Sequence, residues 1–382
     1  MRIALITDGL HPYVMGGMQR HSTMLAQYLP EHGVELVVFH TAHEAEAISS
    51  AKRLEGFPDE VKKRIQHIFV DYPKRGRLPG HYIGDNCRYS QRVLEAYLKL
   101  NQQFDFIYAK GLTGHAFVEA KKEGIALPPI GMKAHGYEMF QRAANFRVKL
   151  EHLLLRSAFR SLTQDSDYVF SYGGKISTII REKLRVPGHR ILEVPTGIDP
   201  GWLADAVSPV SSIRRVVFLG RYERRKGIEE LHQVLQSWEG PQMEFVFIGP
   251  IPEENRLNLP WVSYTGSVTD SDVLKAELDQ ADILVCPSYS EGMPNVIMEA
   301  MARGLAIIAT DVGATSIVVS AENGKLISSL SLGALSRTLK ELLELSDDQL
   351  LDLKEHSRVQ VESFSWEKIA RITVQKIQGV ID

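Results

Sequence analysis

The 382-residue chain has little of what covalent or metal cross-linking needs: two cysteines, Cys87 and Cys286, set far apart. Without a CxxC or a Cys/His pair at ligand spacing, a disulfide framework and a structural zinc are excluded. Cys286 ends an apolar run and is expected to be a small buried hydrophobe. Also missing is any uncharged apolar run of about 18 residues, the length a membrane-crossing helix requires. Met1-Arg2 passes straight into Ile3-Ala4-Leu5-Ile6 without the pattern of a secretory leader, so a cytoplasmic location is expected. There is no low-complexity tract and no repeat with a period of about 20 to 50 residues. A strong net charge is lacking too, at −3, but the balance is uneven. Lys and Arg outnumber Asp and Glu by 27 to 20 up to Pro195, and are outnumbered 17 to 27 beyond it. A basic first half fits an anionic partner or ordinary solvated surface, and charge alone does not choose.

What is present is ample apolar residue, 44% of a chain long enough for two cores. Short apolar runs alternate with helical periodicity from Ile3 onward, with strands expected near 34–39, 68–70, 106–109, 129–134, 168–171 and 191–194. Such alternation implies a parallel sheet covered on both faces. The composition loosens at AVSPVSS, residues 206–212, and a second series starts at Arg215, with strands expected near 216–219, 244–248, 262–265, 283–286 and 306–309. The expectation is therefore an α/β protein of two doubly wound domains, 1–195 and 196–363, with a last helical segment in 364–382 packing back on the first. Ligands of such units lie at the carboxyl ends of the strands, in the cleft between them.

Two stretches carry chemistry. Gly220-Arg221-Tyr222-Glu223-Arg224-Arg225-Lys226-Gly227 follows an apolar strand and opens a helix. Positive charge at a helix N-terminus opposes the macrodipole by roughly 0.3–1 kcal/mol per charge, which favours an anion site over a merely solvated turn. Arg221 and Lys226 are the expected phosphate contacts, with Arg224 and Arg225 facing solvent. The second stretch, SEGMPNVIMEAMARG at 290–304, places Glu291 before a helix that Pro294 can open at its first position, and Glu299 more than a turn further on. Each glutamate alone could be an ordinary helix-flanking acid; beside the basic element they read as grips on one extended ligand. Asp8 and His11, after the first strand, are further cleft candidates. The Asp-x-Asp strings at 165–167 and 270–272 are read as strand-start and helix-capping acids rather than metal ligands.

These elements, with TGID at 196–199 and GGMQRH at 16–21, resemble the retaining glycosyltransferases of family 4, over nearly the whole chain and most densely from Gly220 to Gly324. The resemblance implies the GT-B fold, two Rossmann-like domains with parallel sheets facing across a cleft. It also implies a metal-independent enzyme with no cofactor beyond a UDP- or GDP-linked sugar as co-substrate. By that resemblance Glu291 meets the donor sugar, Glu299 the ribose, and Arg221 and Lys226 the diphosphate. Gly16 and Gly17 form the glycine-rich loop, Gly266 and Val268 flank the base, and His135 lies beside the reacting sugar. The amides around Gly292, Met293, Pro294, Asn295 and Val296 would add the field of a helix N-terminus. Were His135 in the cleft, an ordinary pKa near neutrality would make its effect depend on pH. The chain departs from the family at Ala306 and in Gly313-Ala314-Thr315-Ser316-Ile317, where the family carries a proline and an acid.

The implied acceptor is a saccharide, a lipid-linked sugar or a small molecule, and no nucleic-acid partner is expected. Residues 142–161 form a basic amphipathic stretch whose apolar side could face the core or lie on an anionic bilayer, with Lys74, Arg75 and Arg77 assisting. Two alternatives stay open: a nucleotide-sugar epimerase or hydrolase, and a non-catalytic nucleotide-sugar-binding subunit.

Overall fold

A computed structural model describes residues 1–14, 16–41, 59–73 and 81–381. Lys74, Arg75 and Arg77 lie outside the described residues. Seven strands, β1 (Arg2–Ile6), β2 (Glu35–His40), β3 (Ile65–Phe69), β4 (Phe106–Lys110), β5 (Ile130–Lys133), β6 (Tyr168–Ser171) and β7 (Ile191–Glu193), form one sheet in the order β3-β2-β1-β4-β5-β6-β7. Six more, β8 (Arg214–Leu219), β9 (Met243–Ile248), β10 (Val262–Gly266), β11 (Ile283–Cys286), β12 (Ala306–Thr310) and β13 (Gly324–Ile327), form a second in the order β10-β9-β8-β11-β12-β13. Every pairing within both sheets is parallel. Parallel strands need crossovers on both faces, which is why β4, β5, β11 and β12 are buried along their whole length; β11 and β12 read as apolar runs, whereas β4 and β5 each end in a buried lysine.

Strand order reverses between β1 and β4 in the first sheet and between β8 and β11 in the second. Ligand crevices form outside the carboxyl ends of strands at such points. The loops that follow these strands carry the sequence elements singled out above: Gly16-Gly17 after β1, the basic element after β8, and Glu291 after β11. A continuous apolar cluster runs from Val169 and Tyr172 of the first domain to Met293 and Met298 of the second, so the two sheets meet over a packed seam. The chain returns at its end: the Trp366–Ile381 helix lies against the Gly17–Tyr28 helix, with the Trp366 ring stacked on Tyr28.

Several local expectations change. The basic element is first a 3-10 turn, Arg224–Lys226, and the α-helix starts only at Ile228. Pro294 caps its helix from outside, and the helix runs Asn295–Ala302. Strand β13 and the helix Asp347–Val361 escape the periodicity, the first because it is four residues with an exposed lysine, the second because its buried face includes Lys354. That lysine is neutralised in the core by Asp282, 2.9 Å away. Among the described residues no helix is long and apolar enough to cross a membrane. The Asp-x-Asp acids have local duties: Lys122 pairs with Asp165, Lys121 with Asp167, and Asp270 accepts the amides of Asp272 and Val273 as a helix cap.

Candidate active site

On the second domain, the irregular segment after β11 brings Glu291 beneath the basic turn. Lys226 Nζ donates to Glu291 Oε1 at 2.7 Å, and the Ser288 hydroxyl donates to the same oxygen at 2.7 Å. Arg225 Nη1 stands 3.5 Å from Oε2. Burial alone would raise the carboxyl pKa, but Lys226 and then Arg225 overcome it and hold Glu291 below the usual carboxylate range. The turn is made possible by Gly227, whose backbone is left-handed at φ 70° and where a β-carbon would collide with the Pro287 carbonyl oxygen. The Tyr289 amide donates to the Arg225 carbonyl at 2.7 Å, locking the turn to the Glu291 segment.

The four cations of this element divide in an order that sequence did not anticipate. Arg221 is 70% exposed and pairs with Glu223, so its guanidinium is not brought against Glu291. Arg225, expected in solvent, bridges Glu223 and Glu291 instead. Arg224 is also not solvated: it forks onto Glu230, which accepts from the Tyr289 hydroxyl at 2.7 Å, and its guanidinium stacks on the Tyr289 ring. Arg224 therefore buttresses the loop, while Arg225 and Lys226 supply the charge.

Beyond Glu291, Gly292 and Met293 are buried, and the helix Asn295–Ala302 presents its half-buried first residues, Asn295 and Val296, before Glu299. Glu299 is 5% exposed, and Arg20 Nη1 donates to its Oε1 at 2.7 Å. Arg20 comes from the first helix of the first domain, so this pair crosses the cleft. Sequence reading missed it. The signal was there, an arginine one turn past Gly16-Gly17 in GGMQRH. Gly266 and Val268 stand at the carboxyl end of the edge strand β10.

On the first domain, His135 follows β5. Its Nδ1 is 3.3 Å from the Tyr172 hydroxyl, and a β-carbon on Gly17 would lie 3.3 Å from Nε2. The glycine-rich loop and His135 are thus brought together. Burial, and then Lys110, lower the His135 pKa to about 4, so the ring is neutral at physiological pH. This corrects the expectation of a histidine titrating near neutrality: desolvation and two neighbouring lysines remove that option. Those lysines, Lys110 and Lys133, are register neighbours on β4 and β5 and are at most 1% exposed. Lys110 Nζ is 3.0 Å from His21 Nδ1, and burial lowers its pKa to about 7. Lys133 donates to the Val194 carbonyl at 2.9 Å, with its ammonium over the Tyr172 ring. Asp8 accepts from Gln19 Nε2 at 2.8 Å, and His11, half-buried, has its pKa lowered by burial and by Arg20.

The arrangement offers a carboxylate held ionised by two cations, a neutral imidazole near it from the other sheet, and a second carboxylate midway along a short helix. That is equipment for gripping a polyol and an anion together.

Comparison with known proteins gives the family. Residues 15–202 match the model of Glycosyltransferase Family 4 and residues 213–345 that of Glycosyl transferases group 1. A 126-residue segment is 37% identical to TuaC of Bacillus subtilis, which is named for teichuronic acid biosynthesis as a glycosyltransferase; it covers 33% of this chain and 32% of that one. A 185-residue segment is 29% identical to the phosphatidyl-myo-inositol mannosyltransferase of Mycolicibacterium smegmatis, covering 44% and 47%. The matched segments thus span about a third to a half of these relatives' length. Among solved structures, sucrose-phosphate synthase from Thermosynechococcus elongatus superposes with a TM-score of 0.78 at 19% identity, over 99% of this chain and 98% of that one. HepE of Anabaena in complex with UDP gives 0.67 at 17%, over 99% and 100%. With a family model on each half and this fold, the chain belongs to the group 1 and family 4 glycosyltransferases, enzymes of the GT-B fold.

Proposed function

We propose that the enzyme transfers a sugar from a UDP- or GDP-linked donor to an acceptor hydroxyl, with retention of anomeric configuration and without a metal ion, in polysaccharide, glycolipid or other glycoconjugate biosynthesis. The observation that carries this is the Glu291–Lys226–Arg225 cluster at the switch point of the second sheet, facing neutral His135 on the first. Cations fixed before substrate arrives stabilise charge growing on a leaving diphosphate at no reorganisation cost. Glu291 can accept charge-assisted hydrogen bonds from sugar hydroxyls through the oxygen that Lys226 and Ser288 leave free, each worth about 1.5–3 kcal/mol. Glu299 does the same for a ribose diol.

The step is a substitution on one face of the sugar. The bond from the anomeric carbon to the phosphate oxygen breaks while the bond to the acceptor oxygen forms on the same side. The acceptor proton passes to the leaving phosphate, and the nucleoside diphosphate departs with its charge held by Lys226, Arg225 and Arg221. With the Tyr172 hydroxyl donating a hydrogen bond to Nδ1, neutral His135 carries its proton on Nε2 and donates from there to a sugar hydroxyl.

For the membrane, the helix Phe146–Asp165 supports peripheral contact on the inner face of the cytoplasmic membrane. Phe146, Leu150, Leu153 and Leu154 are 49–73% exposed rather than packed inward, beside Arg147, Lys149 and Arg160. A lipid-linked acceptor would be met there.

The test is donor turnover by purified protein with UDP- and GDP-sugars in EDTA, following nucleoside diphosphate release and the anomer formed. Release with retention, and a thermal stabilisation of roughly 2.7 kcal/mol at about 100 times the dissociation constant, are expected. No binding and no turnover with any nucleotide sugar would sink the reading.

A further inference from the structure

Glu291 lies in a stretch without helix or strand, yet it is buried, so its backbone N–H and C=O need partners from elsewhere. Both come from one side chain of the other domain. Gln141 Nε2 donates to the Glu291 carbonyl at 2.6 Å, and its Oε1 accepts from the Glu291 amide at 3.4 Å. The second hydrogen of the same Nε2 goes to the Gly136 carbonyl at 2.7 Å. Two carbonyls and one N–H fix the amide's orientation, because the flipped form would set oxygen against oxygen. A carboxylate at this position could donate to neither carbonyl.

The segment that carries Gln141 is itself tightly set. Tyr137 holds a left-handed backbone, φ 51° and ψ 37°, unusual for an aromatic residue, and its buried hydroxyl is 3.1 Å from Thr163 Oγ1. A 3-10 turn, Glu138–Phe140, follows and delivers Gln141. The two backbones touch here. A β-carbon on Gly136 would lie 2.9 Å from the Gly292 amide nitrogen, and one on Gly292 would strike the His135 carbonyl oxygen. Gln141 therefore fastens the His135 loop to the Glu291 loop at their point of closest approach.

We propose that Gln141 is a positioning residue that sets the Glu291 carboxylate against the donor sugar when the domains are closed. This rests on the reading that Glu291 meets the sugar and not the nucleotide. Gln141 then contributes to the sugar's share of donor affinity and to turnover, and nothing to the nucleotide's share.

The experiment compares UDP with UDP-glucose and GDP with GDP-mannose by calorimetry, on the full chain and on Gln141→Ala and Gln141→Glu, with donor turnover measured alongside. Loss of a buried hydrogen-bonding partner predicts that the ratio of nucleotide-sugar to nucleotide affinity falls about tenfold and turnover at least tenfold in both variants. Nucleoside diphosphate affinity should stay within about twofold, which also shows that each variant is folded. Variants that keep the ratio and the turnover, or that lose nucleotide and nucleotide-sugar affinity equally, overturn the role of Gln141 while leaving the donor reading in place. If the unaltered chain binds none of the four ligands, the donor reading falls and the proposal falls with it.

Discussion

The two sheets present opposite electrostatic edges to the cleft. On the second domain the ionisable groups are matched: Glu291 with Lys226 and Arg225, Glu230 with Arg224. On the first, Lys110, Lys133 and His21 are buried beside half-buried His135 with no carboxylate in an ion pair with any of them among the described residues, and burial pushes all four pKa values down, Asp8 partly opposing it at Lys110. Opposite charge fixes the ionised form, whereas desolvation favours the neutral one. The fixed charge around Glu291 therefore belongs to the second domain, and the first supplies neutral His135 and, beside Glu299, the guanidinium of Arg20.

The largest effect that could break this contrast is the loss of Lys226. Lys226→Ala should lower turnover by about 10²–10³-fold, the cost of losing a preorganised group that meets developing charge. Unlike Arg221→Ala, at a position 70% exposed, it should also reduce stability, because it leaves buried Glu291 with the Ser288 hydroxyl and, at 3.5 Å, Arg225. Chemical denaturation of Lys226→Ala, Arg221→Ala and the double variant Lys226→Ala with Glu291→Gln checks this. Stability should fall in the first, hold in the second and partly recover in the third. Equal stability in all three would mean that the charges on the second domain are not matched as described.

A smaller effect separates the domains by pH. His135 has a folded pKa of about 4 against an unfolded value near 6.5, so the unfolded chain binds the proton first as pH drops. The stability gained by keeping it neutral is complete above about pH 6.5 and is lost as pH falls toward 4, on the order of 2–3 kcal/mol. Glu291 has its folded pKa depressed, so its contribution is present above the unfolded carboxyl value and goes only below about pH 4.5. Urea midpoints from pH 7 to 4 should decline less steeply for His135→Gln than for the unaltered chain, with the difference opening between pH 6.5 and 4.5. Parallel curves would remove His135 from the acid response.

The same division explains what could be read from sequence. Both doubly wound sheets were legible because strands buried on two faces are apolar throughout, and β11 and β12 are cases in point. In the second domain the site was legible too, since Glu291, Lys226 and Glu299 sit within two short motifs whose local geometry follows from a strand end, a glycine and a helix start. The order of the arginines was not, because Arg225 sits in the 3-10 turn that brings it to Glu291 while Arg221 lies in the irregular segment before that turn, and no local pattern separates the two. In the first domain, Arg20, Lys110 and Gln141 act on partners 89 to 279 residues away in the chain, and no local pattern announces them. Lys133 reads as a strand-end lysine, and only its burial reveals what the fold asks of it. The depressed His135 pKa likewise needs the position of Lys110, a residue on another strand.

The smallest expected change in stability tests the outside of the first domain. Burial weakens the charge of the lysines and histidines inside the first domain, so much of the positive charge it displays is on its surface, and the helix Phe146–Asp165 shows both that charge and four exposed apolar side chains. Arg147 is 88% exposed and pairs with Glu151 at 3.3 Å, a solvent-side pair worth little. Leu150→Glu with Leu154→Glu touches nothing in the core, so the unfolding free energy should move by no more than about 0.5 kcal/mol. Binding to vesicles is another matter, since apolar insertion and attraction of cations to anionic headgroups act together. Flotation with phosphatidylglycerol-containing vesicles should capture the unaltered chain at low salt and lose it in the double variant, while neutral phosphatidylcholine vesicles bind neither. Reversing charge instead, with Arg147→Glu and Lys149→Glu, should weaken capture and flatten its salt dependence. Vesicle binding untouched by both pairs of changes would mean that the basic excess of the first domain is directed elsewhere than this helix.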